Sequence, residues 1–283
     1  MDIQWYPGHM TKAKRQMQED MKLIDMIIEL VDARVPLSSR NPDINELGKN
    51  KSRLILLNKS DLSDPKVNLA WREYFRSIGM GCLLVDSRKK SDLKNIPQLV
   101  TEACREKLER DARRGIKNRP IRAMVAGIPN VGKSTFINSY AGRACTKTGN
   151  RPGVTKGKQW IRMGKGLELL DTPGILWPKF DDPDVGKRLA MIGSVNDNIL
   201  NIEELSLELI RFLQSSYPSA LSERYTLGEE GQDAVKILEE IAQKRNCIVR
   251  GNEISYKKAA DLLIDDFRSG KLGRISLESP EGE

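Results

Sequence analysis

Residues 127–134 have the sequence Gly127-Ile128-Pro129-Asn130-Val131-Gly132-Lys133-Ser134, which is the strongest local signal in the chain. It lies between an apolar run at residues 123–126, typical of a strand, and a helical pattern over residues 133–140. A Gly-x-x-x-x-Gly-Lys-Ser string in that position is typical of a phosphate-binding loop, because its amides and the N-terminus of the next helix point at the phosphates. We expect Lys133 to neutralise the outer phosphates and the Ser134 hydroxyl to ligate magnesium. The loop residues predicted to bind phosphate are Asn130, Val131, Gly132, Lys133, Ser134 and Thr135.

A second motif, Asn58-Lys59-Ser60-Asp61, directly follows an apolar run at residues 54–57. The Asp61 carboxylate can accept hydrogen bonds from N1 and the 2-amino group of guanine, whereas adenine would leave that buried carboxylate unpaired. Together with the phosphate loop, the motif predicts GTP or GDP as the ligand. Ser87 follows the next apolar run, at residues 82–85, where the last base-contacting loop is expected. The predicted base site therefore consists of Asn58, Lys59, Asp61 and Ser87. GTPases usually carry Ser-Ala at the last position, whereas this chain carries Ser-Arg.

A third motif, Asp171-Thr172-Pro173-Gly174, comes after the phosphate loop in the chain. By the general plan of phosphoryl-transfer sites, we expect Asp171 to reach magnesium through water and the Gly174 amide to bond the third phosphate. Thr155, in a Pro-Gly-Val-Thr string, either ligates magnesium and covers the same phosphate or is only a turn residue. Ile175 occupies the position where signalling GTPases carry a glutamine that orients the attacking water. An aliphatic side chain cannot do this, so either intrinsic hydrolysis is very slow or another group acts.

Two further residues are candidates for completing the site. His9 is the one histidine of the chain and precedes a basic helical pattern. It is either a structural or surface residue, or a catalytic group that orients the attacking water once a partner orders the segment. The side-chain carbonyl of Asn130 either holds a monovalent cation against the phosphates or only stabilises the loop.

The order of the motifs is rotated, because the base motif precedes the phosphate loop and most GTPases have the reverse order. A charged connector at residues 110–122 would join the last strand of an ordinary GTPase to its first. Short apolar strands alternating with helices predict a mostly parallel sheet with helices on both faces. We therefore predict an α/β fold, a circularly permuted P-loop GTPase domain at residues 1–178 that includes an N-terminal basic helix, followed by a small all-α domain at residues 179–283.

The charge is unevenly distributed along the chain. The net charge of +8 is the sum of +14 for residues 1–181 and −6 for residues 182–283. With only 5% aromatic residues, the basic part suggests contact with a nucleic-acid backbone, and the alternative is a solvated basic surface. Four scattered cysteines without a Cys-x-x-Cys pair argue against a zinc site and a disulfide framework. No apolar run approaches the roughly 20 residues of a membrane helix and no signal peptide is evident, so we expect a cytoplasmic protein without a membrane partner. We also expect the protein to be a monomer.

Six strings, taken in chain order, closely resemble the ribosome biogenesis GTPase A family: Y-P-G-H-M, V-D-A-R-V-P-L-S-S-R-N-P, L-N-K-S-D-L, G-I-P-N-V-G-K-S-T-F-I-N, P-G-V-T and D-T-P-G-I-L-W-P. The resemblance extends from the first residues to about Lys179. It implies a GTPase that acts late in assembly of the large ribosomal subunit, contacts that particle and its rRNA, and is stimulated by it.

The resemblance also bears on the residues with two interpretations. It implies that His9 aids hydrolysis, that a hydrophobic residue replaces the glutamine at Ile175, and that Asn130 accompanies potassium dependence. The family pattern places Asp32 and Arg34 near a surface that meets RNA, whereas the residues alone favour either a mutual ion pair or a cap on the strand. Two other functions stay open: a GTP-gated adaptor for a protein or tRNA partner, and an ATP-dependent kinase, which the Asn-Lys-x-Asp motif disfavours.

Overall fold

The computed structural model describes residues 8–116, 119–146, 159–164, 166–178, 180–228, 233–251 and 253–280, with only the backbone for residues 8, 9 and 159. These residues fall into two compact units, residues 8–178 with 278–280, and residues 180–277. The strands of the first unit are β1 (Met26–Asp32), β2 (Ser52–Asn58), β3 (Gly81–Leu84), β4 (Ile121–Ala126), β5 (Gln159–Met163) and β6 (Leu167–Asp171). Its helices are α1 (Gly8–Asp20), α2 (Pro42–Leu47), α3 (Pro65–Ser77), α4 (Ile96–Ala103), α5 (Arg105–Arg113) and α6 (Lys133–Ala141).

The described strands form one sheet in the order β3-β2-β1-β4-β6-β5. Neighbouring strands from β3 to β6 are parallel, and β5 pairs with β6 in the antiparallel direction. Every residue of the central strand β1 is buried, so both faces of the sheet are covered. Because parallel strands end at the same edge of a sheet, the segments that follow β1, β2, β4 and β6 meet there, and these segments carry the three motifs.

The predicted α/β class with a mostly parallel sheet is confirmed, and each predicted strand is present near its predicted bounds. Two helices, α4 and α5, follow each other between β3 and β4, because the chain leaves helical geometry at Cys104. Helix α2 was not predicted, because its six residues are too few to show helical periodicity. Asn41 caps this helix by accepting a hydrogen bond from the Asp43 amide at 2.9 Å.

In the described part of the second unit, the regular secondary structure is helical apart from an isolated bridge between Ile248 and Ile254. Its helices are α7 (Pro183–Met191), α8 (Ile202–Ser216), α9 (Ser219–Tyr225), α10 (Ala234–Lys244) and α11 (Tyr256–Arg268). Asp266 on α11 is fully buried, accepts a hydrogen bond from the Tyr225 hydroxyl at 3.0 Å and pairs with Arg224 at 2.8 Å, which anchors α9 to α11. In neither unit does a described helix have the length and apolar character needed to cross a membrane.

Residues 278–280, which we call the tail, belong to the first unit. The Glu278 side chain is 4% exposed and accepts hydrogen bonds from the Leu37 amide at 2.8 Å, the Ser38 amide at 3.0 Å and the Ser38 hydroxyl. The Glu278 carbonyl accepts a hydrogen bond from the buried Trp71 indole at 3.2 Å. The sequence-based assignment of all C-terminal residues to the helical domain is therefore corrected for the tail, which these contacts hold on the sheet domain.

Candidate nucleotide-binding site

The phosphate loop connects β4 to α6, as the sequence predicts. Asn130 (φ 59°) and Gly132 (φ 103°) have positive φ values, which curl the chain just before α6 begins at Lys133. Asparagine tolerates this backbone conformation better than most residues with a side chain. A Cβ atom at Gly132 would collide with Nδ2 of Asn58, so glycine is required by both the backbone angle and the neighbouring base motif.

Lys133 and Asp171 form the charged centre of the site. Nζ of Lys133 is buried and donates to the carbonyls of Gly127 and Ile128, each at 2.9 Å. Burial lowers the pKa of Lys133 to about 8, although the Asp171 carboxylate acts in the opposite direction. Burial likewise raises the pKa of Asp171 to about 6 against the effect of the Lys133 charge.

Within the described part of the chain, neither carboxylate oxygen of Asp171 accepts a hydrogen bond of ordinary geometry, and only the adjacent Thr172 amide lies close enough to lower its pKa. A buried carboxylate without donors is unfavourable, and its burial raises its pKa. A hydrated divalent cation would supply the missing partner, and an oxygen-rich donor set is what magnesium prefers. The residues around Asp171 therefore fit magnesium.

The Asp171-Thr172-Pro173-Gly174 segment lies against the phosphate loop. A Cβ atom at Gly174 would stand 2.8 Å from Nζ of Lys133 and 2.9 Å from Cα of Pro129, so a larger residue would push the two segments apart. The Thr172 hydroxyl donates to the Val125 carbonyl at 2.8 Å and ties the segment to β4. The Gly174 amide is thereby kept beside the phosphate loop, where the sequence predicts contact with the third phosphate.

Ile175, at the position of a water-orienting glutamine, is only 2% exposed. Its carbonyl accepts a hydrogen bond from Nδ2 of Asn41 at 3.2 Å, which fixes the backbone there. The Ile175 side chain is therefore packed in the protein and does not act on water. The side chain of His9 and the whole of Thr155 lie outside the described residues, so their roles stay predictions.

Asn58 connects the base motif to two other loops. Its Nδ2 donates to the Val131 carbonyl in the phosphate loop at 2.7 Å. Its Oδ1 accepts hydrogen bonds from the Ser87 amide at 3.0 Å and from the Ser87 hydroxyl at 2.7 Å. Asn58 and Ser87 are both buried, so water competes little for these bonds. The base motif, the phosphate loop and the loop after β3 are thus brought together at one side chain.

Asp61, the predicted base-reading carboxylate, is held by an arginine. Nη2 of Arg88 contacts Asp61 at 2.6 Å and Asp86 at 2.9 Å, and Nε of Arg88 contacts Asp86 at 2.8 Å. These bonds lower the pKa of Asp86 and raise that of Arg88. In the sequence, Arg88 is visible only as a departure from the usual Ser-Ala pair. Its contact with Asp61 spans 27 positions and was missed, because no local pattern reports it.

Lys59 lies in a second buried ion network. Its backbone has φ 57° and its ammonium contacts Oδ2 of Asp32 at 2.9 Å. Asp32 also forms a two-point ion pair with Arg34, at 2.9 and 2.8 Å, and both residues are almost fully buried. Burial alone would raise the pKa of Asp32, but the Arg34 and Lys59 charges hold it well below its usual range. The mutual ion pair is therefore the observed state, and the buried side chains of Asp32 and Arg34 are not exposed for contact with RNA.

Comparison with known proteins gives a consistent result. Residues 122–250 match a family model described as 50S ribosome-binding GTPase. The protein named Ribosome biogenesis GTPase A from Bacillus licheniformis is 48% identical to this chain over 281 residues, which is 99% of each chain. The protein of the same name from Thermotoga maritima is 33% identical over 279 residues, covering 99% of this chain and 95% of the relative.

Solved structures agree with the fold. The structure described as GNP-bound YlqF from T. maritima aligns with a TM-score of 0.66 at 25% identity and covers 95% of this chain and 99% of that one. The GDP-bound structure of TM YlqF aligns with a TM-score of 0.70 at 24% identity, covering 94% of this chain and all of the other. The predicted permuted P-loop GTPase fold is thereby confirmed, with the base motif on β2 and the phosphate loop after β4.

Proposed function

This chain belongs to the ribosome biogenesis GTPase A family, and on that basis we propose that it is a GTP-hydrolysing assembly factor of late large-subunit maturation. In this proposal the protein binds the pre-ribosomal particle with GTP and is released after hydrolysis to GDP. The names of its relatives and the 50S ribosome-binding description of the matching family model support the particle as partner. A cytoplasmic site of action follows from that partner.

The observation that carries the proposal is the convergence of three motifs at the ends of neighbouring parallel strands. Asn58 bonds from the end of β2 to Val131 in the phosphate loop, and Gly174 approaches Lys133 closely. A base-reading carboxylate at Asp61 and a phosphate-facing ammonium at Lys133 therefore belong to one continuous site. A guanine nucleotide carries matching groups at its two ends.

Magnesium would be held by the Ser134 hydroxyl, by Asp171 through water and by Thr155. When bound, it supplies positive charge that offsets the charge of the outer phosphates. Lys133 contributes charge from the protein, and its ammonium would exchange the two loop carbonyls for phosphate oxygens. Asn130 is assigned to hold potassium beside the same phosphates, where the added charge would replace an arginine finger.

Hydrolysis needs a group that orients water, and the buried Ile175 side chain does not supply one. We assign this role to His9, which precedes the exposed basic residues of α1. Contact between the particle and α1 would bring His9 to the third phosphate. Slow turnover in the free protein and faster turnover on the particle follow directly.

The basic surface supports contact with rRNA phosphates. On α1, Lys12 and Arg15 are exposed while Met10 and Met17 are buried, so the helix packs by one side and offers positive charge on the other. The connector before β4 adds the exposed residues 113 and 114, both arginines. Such contacts depend strongly on salt, because binding releases counterions from the RNA.

The decisive experiment is GTP turnover by the purified protein with and without mature large subunits, in potassium and again in sodium. We expect strong stimulation by the particle, larger in potassium. The double variant Lys12→Glu/Arg15→Glu serves as a control, because it should lose stimulation and keep the unstimulated rate. A rate unchanged by the particle and by the cation would contradict the proposal and favour a GTP-gated adaptor.

A further inference from the structure

Guanine has an acceptor, O6, next to N1, and the base-site contacts described above leave it without a donor. Asp61 can only accept hydrogen bonds when ionised. The Ser87 amide and hydroxyl both donate to Asn58, and the Arg88 amide donates to Asp86 at 3.0 Å. The main-chain and hydroxyl donors of the loop after β3 are thus already used within the protein.

The Arg88 guanidinium offers the missing donor. Its Nε and Nη2 form a fork on Asp86, and Nη2 also contacts Asp61 at 2.6 Å. The guanidinium is planar and rigid, so Nη1 lies beside Nη2 on the side that faces Asp61. Within the described residues no hydrogen bond from Nη1 is formed, and the Arg88 side chain is 67% exposed. A donor pair is therefore held in place next to the carboxylate that reads guanine.

We propose that Arg88 is a specificity-determining residue that donates from Nη1 to guanine O6 while Nη2 holds Asp61 for N1 and the 2-amino group. The inference rests on the proposed binding of a guanine nucleotide at Asp61. Arginine commonly recognises the O6 side of guanine, and adenine carries an amino group at that position, which would face the guanidinium donor. Asp86 keeps the arginine extended over the site when no base is bound, so little side-chain freedom is lost on binding.

The opposite role is physically possible, since Arg88 occupies an acceptor of Asp61. If Arg88 competes with the base, its removal tightens guanine nucleotide binding. If Arg88 only orients Asp61, its removal weakens every nucleotide that pairs with Asp61 to the same extent. The three roles therefore differ in sign or in their dependence on the atom at position 6 of the base.

The test is calorimetric binding of GDP, IDP, 6-thio-GDP and ADP to the full chain and to Arg88→Ala. IDP lacks the 2-amino group and keeps O6, whereas 6-thio-GDP keeps N1–H and the 2-amino group and has sulfur, a poor acceptor, in place of O6. We expect Arg88→Ala to weaken GDP and IDP by about tenfold or more, as for a lost hydrogen bond to a charged group, and to weaken 6-thio-GDP distinctly less, because that nucleotide loses only the positioning of Asp61. Arg88→Lys, which cannot bridge Asp61 and O6 in the same way, should show the same selective loss and covers the case of a misfolded alanine variant.

Arg76→Ala is the matched control, because Arg76 pairs with Glu73 on the surface of α3 and lies outside the site. Its affinity for all four nucleotides should equal that of the unmodified chain. Tighter or unchanged GDP binding by both Arg88 variants, or an equal loss for GDP and 6-thio-GDP, would overturn the assignment. If the unmodified chain binds ADP as tightly as GDP, the proposed function itself is wrong, and this outcome is visible before any variant is made.

Discussion

Replacing Glu278 by glutamine is expected to destabilise the first unit substantially, although the two side chains have nearly the same shape. The carboxylate accepts from the amides of Leu37 and Ser38, and a hydrogen bond to a charged group contributes about 1.5–3 kcal/mol. Glutamine keeps one acceptor oxygen and turns an NH2 donor toward the second amide. We therefore expect a loss of about 2–4 kcal/mol in the free energy of unfolding. The loss stays below the full value of two charged hydrogen bonds, because water can reach the two amides once the tail is released.

Two measurements detect this loss in the free energy of unfolding. For a unit of this size, each kcal/mol lowers the melting temperature by about 2–4 °C, so the transition should fall by roughly 4–16 °C. Hydrogen exchange of the Leu37 and Ser38 amides should also accelerate by about 30-fold or more, as a loss of 2 kcal/mol in local protection predicts. The emission of Trp71 should change in parallel, because its indole donates to the Glu278 carbonyl.

Glu253→Gln is the matched control, because Glu253 is exposed and only its backbone carbonyl has a hydrogen-bond partner in the described structure. It should leave melting and exchange unchanged. Equal stability of Glu278→Gln and the unmodified chain, together with unchanged exchange at residues 37 and 38, would refute the reasoning about the tail.

Three further predictions concern the nucleotide. Asp61→Asn should weaken GTP and improve binding of xanthosine triphosphate, and an unchanged preference in competition binding would remove the base assignment. Gly132→Ala should lower nucleotide affinity by at least about tenfold, since a Cβ strains the backbone and displaces Asn58; normal affinity by fluorescence titration would contradict this. Burial lowers the pKa of Lys133 to about 8 in the free protein and bound phosphate favours its charged form, so GDP affinity should fall as the pH rises above 8. Binding at pH 8.5 should then take up protons, which calorimetry in two buffers of different ionisation enthalpy detects; binding without uptake would argue against a protonation change at Lys133.

The parts of the molecule that sequence predicted well are those whose signal is local. The strand before the phosphate loop is a short apolar run, and Gly132 follows from a fixed spacing of loop residues. The base motif directly follows another apolar run, so its position at a strand end could be predicted without knowing the sheet order.

The parts that sequence missed depend on partners far apart in the chain. The role of Arg88 becomes visible only beside Asp61, and that of Glu278 only beside Ser38, which lies 240 positions away. The pattern of neighbouring residues in the sequence contains no information about such distant pairs. Helix α2 was missed for a different reason. It has only six residues, so its apolar residues show no helical periodicity, and its start is set by a capping residue and a proline.

The return of the tail makes the helical unit an insertion within the GTPase unit, because the chain leaves the latter after residue 178 and rejoins it at residue 278. A truncation that stops the chain before residue 180 therefore removes more than the helices. It also removes Glu278, whose carboxylate accepts hydrogen bonds from the Leu37 and Ser38 amides and whose carbonyl accepts one from the Trp71 indole. If such a truncated protein loses activity, the cause is either the missing helical unit or the missing tail. Adding back a peptide of residues 277–280 in trans distinguishes the two causes.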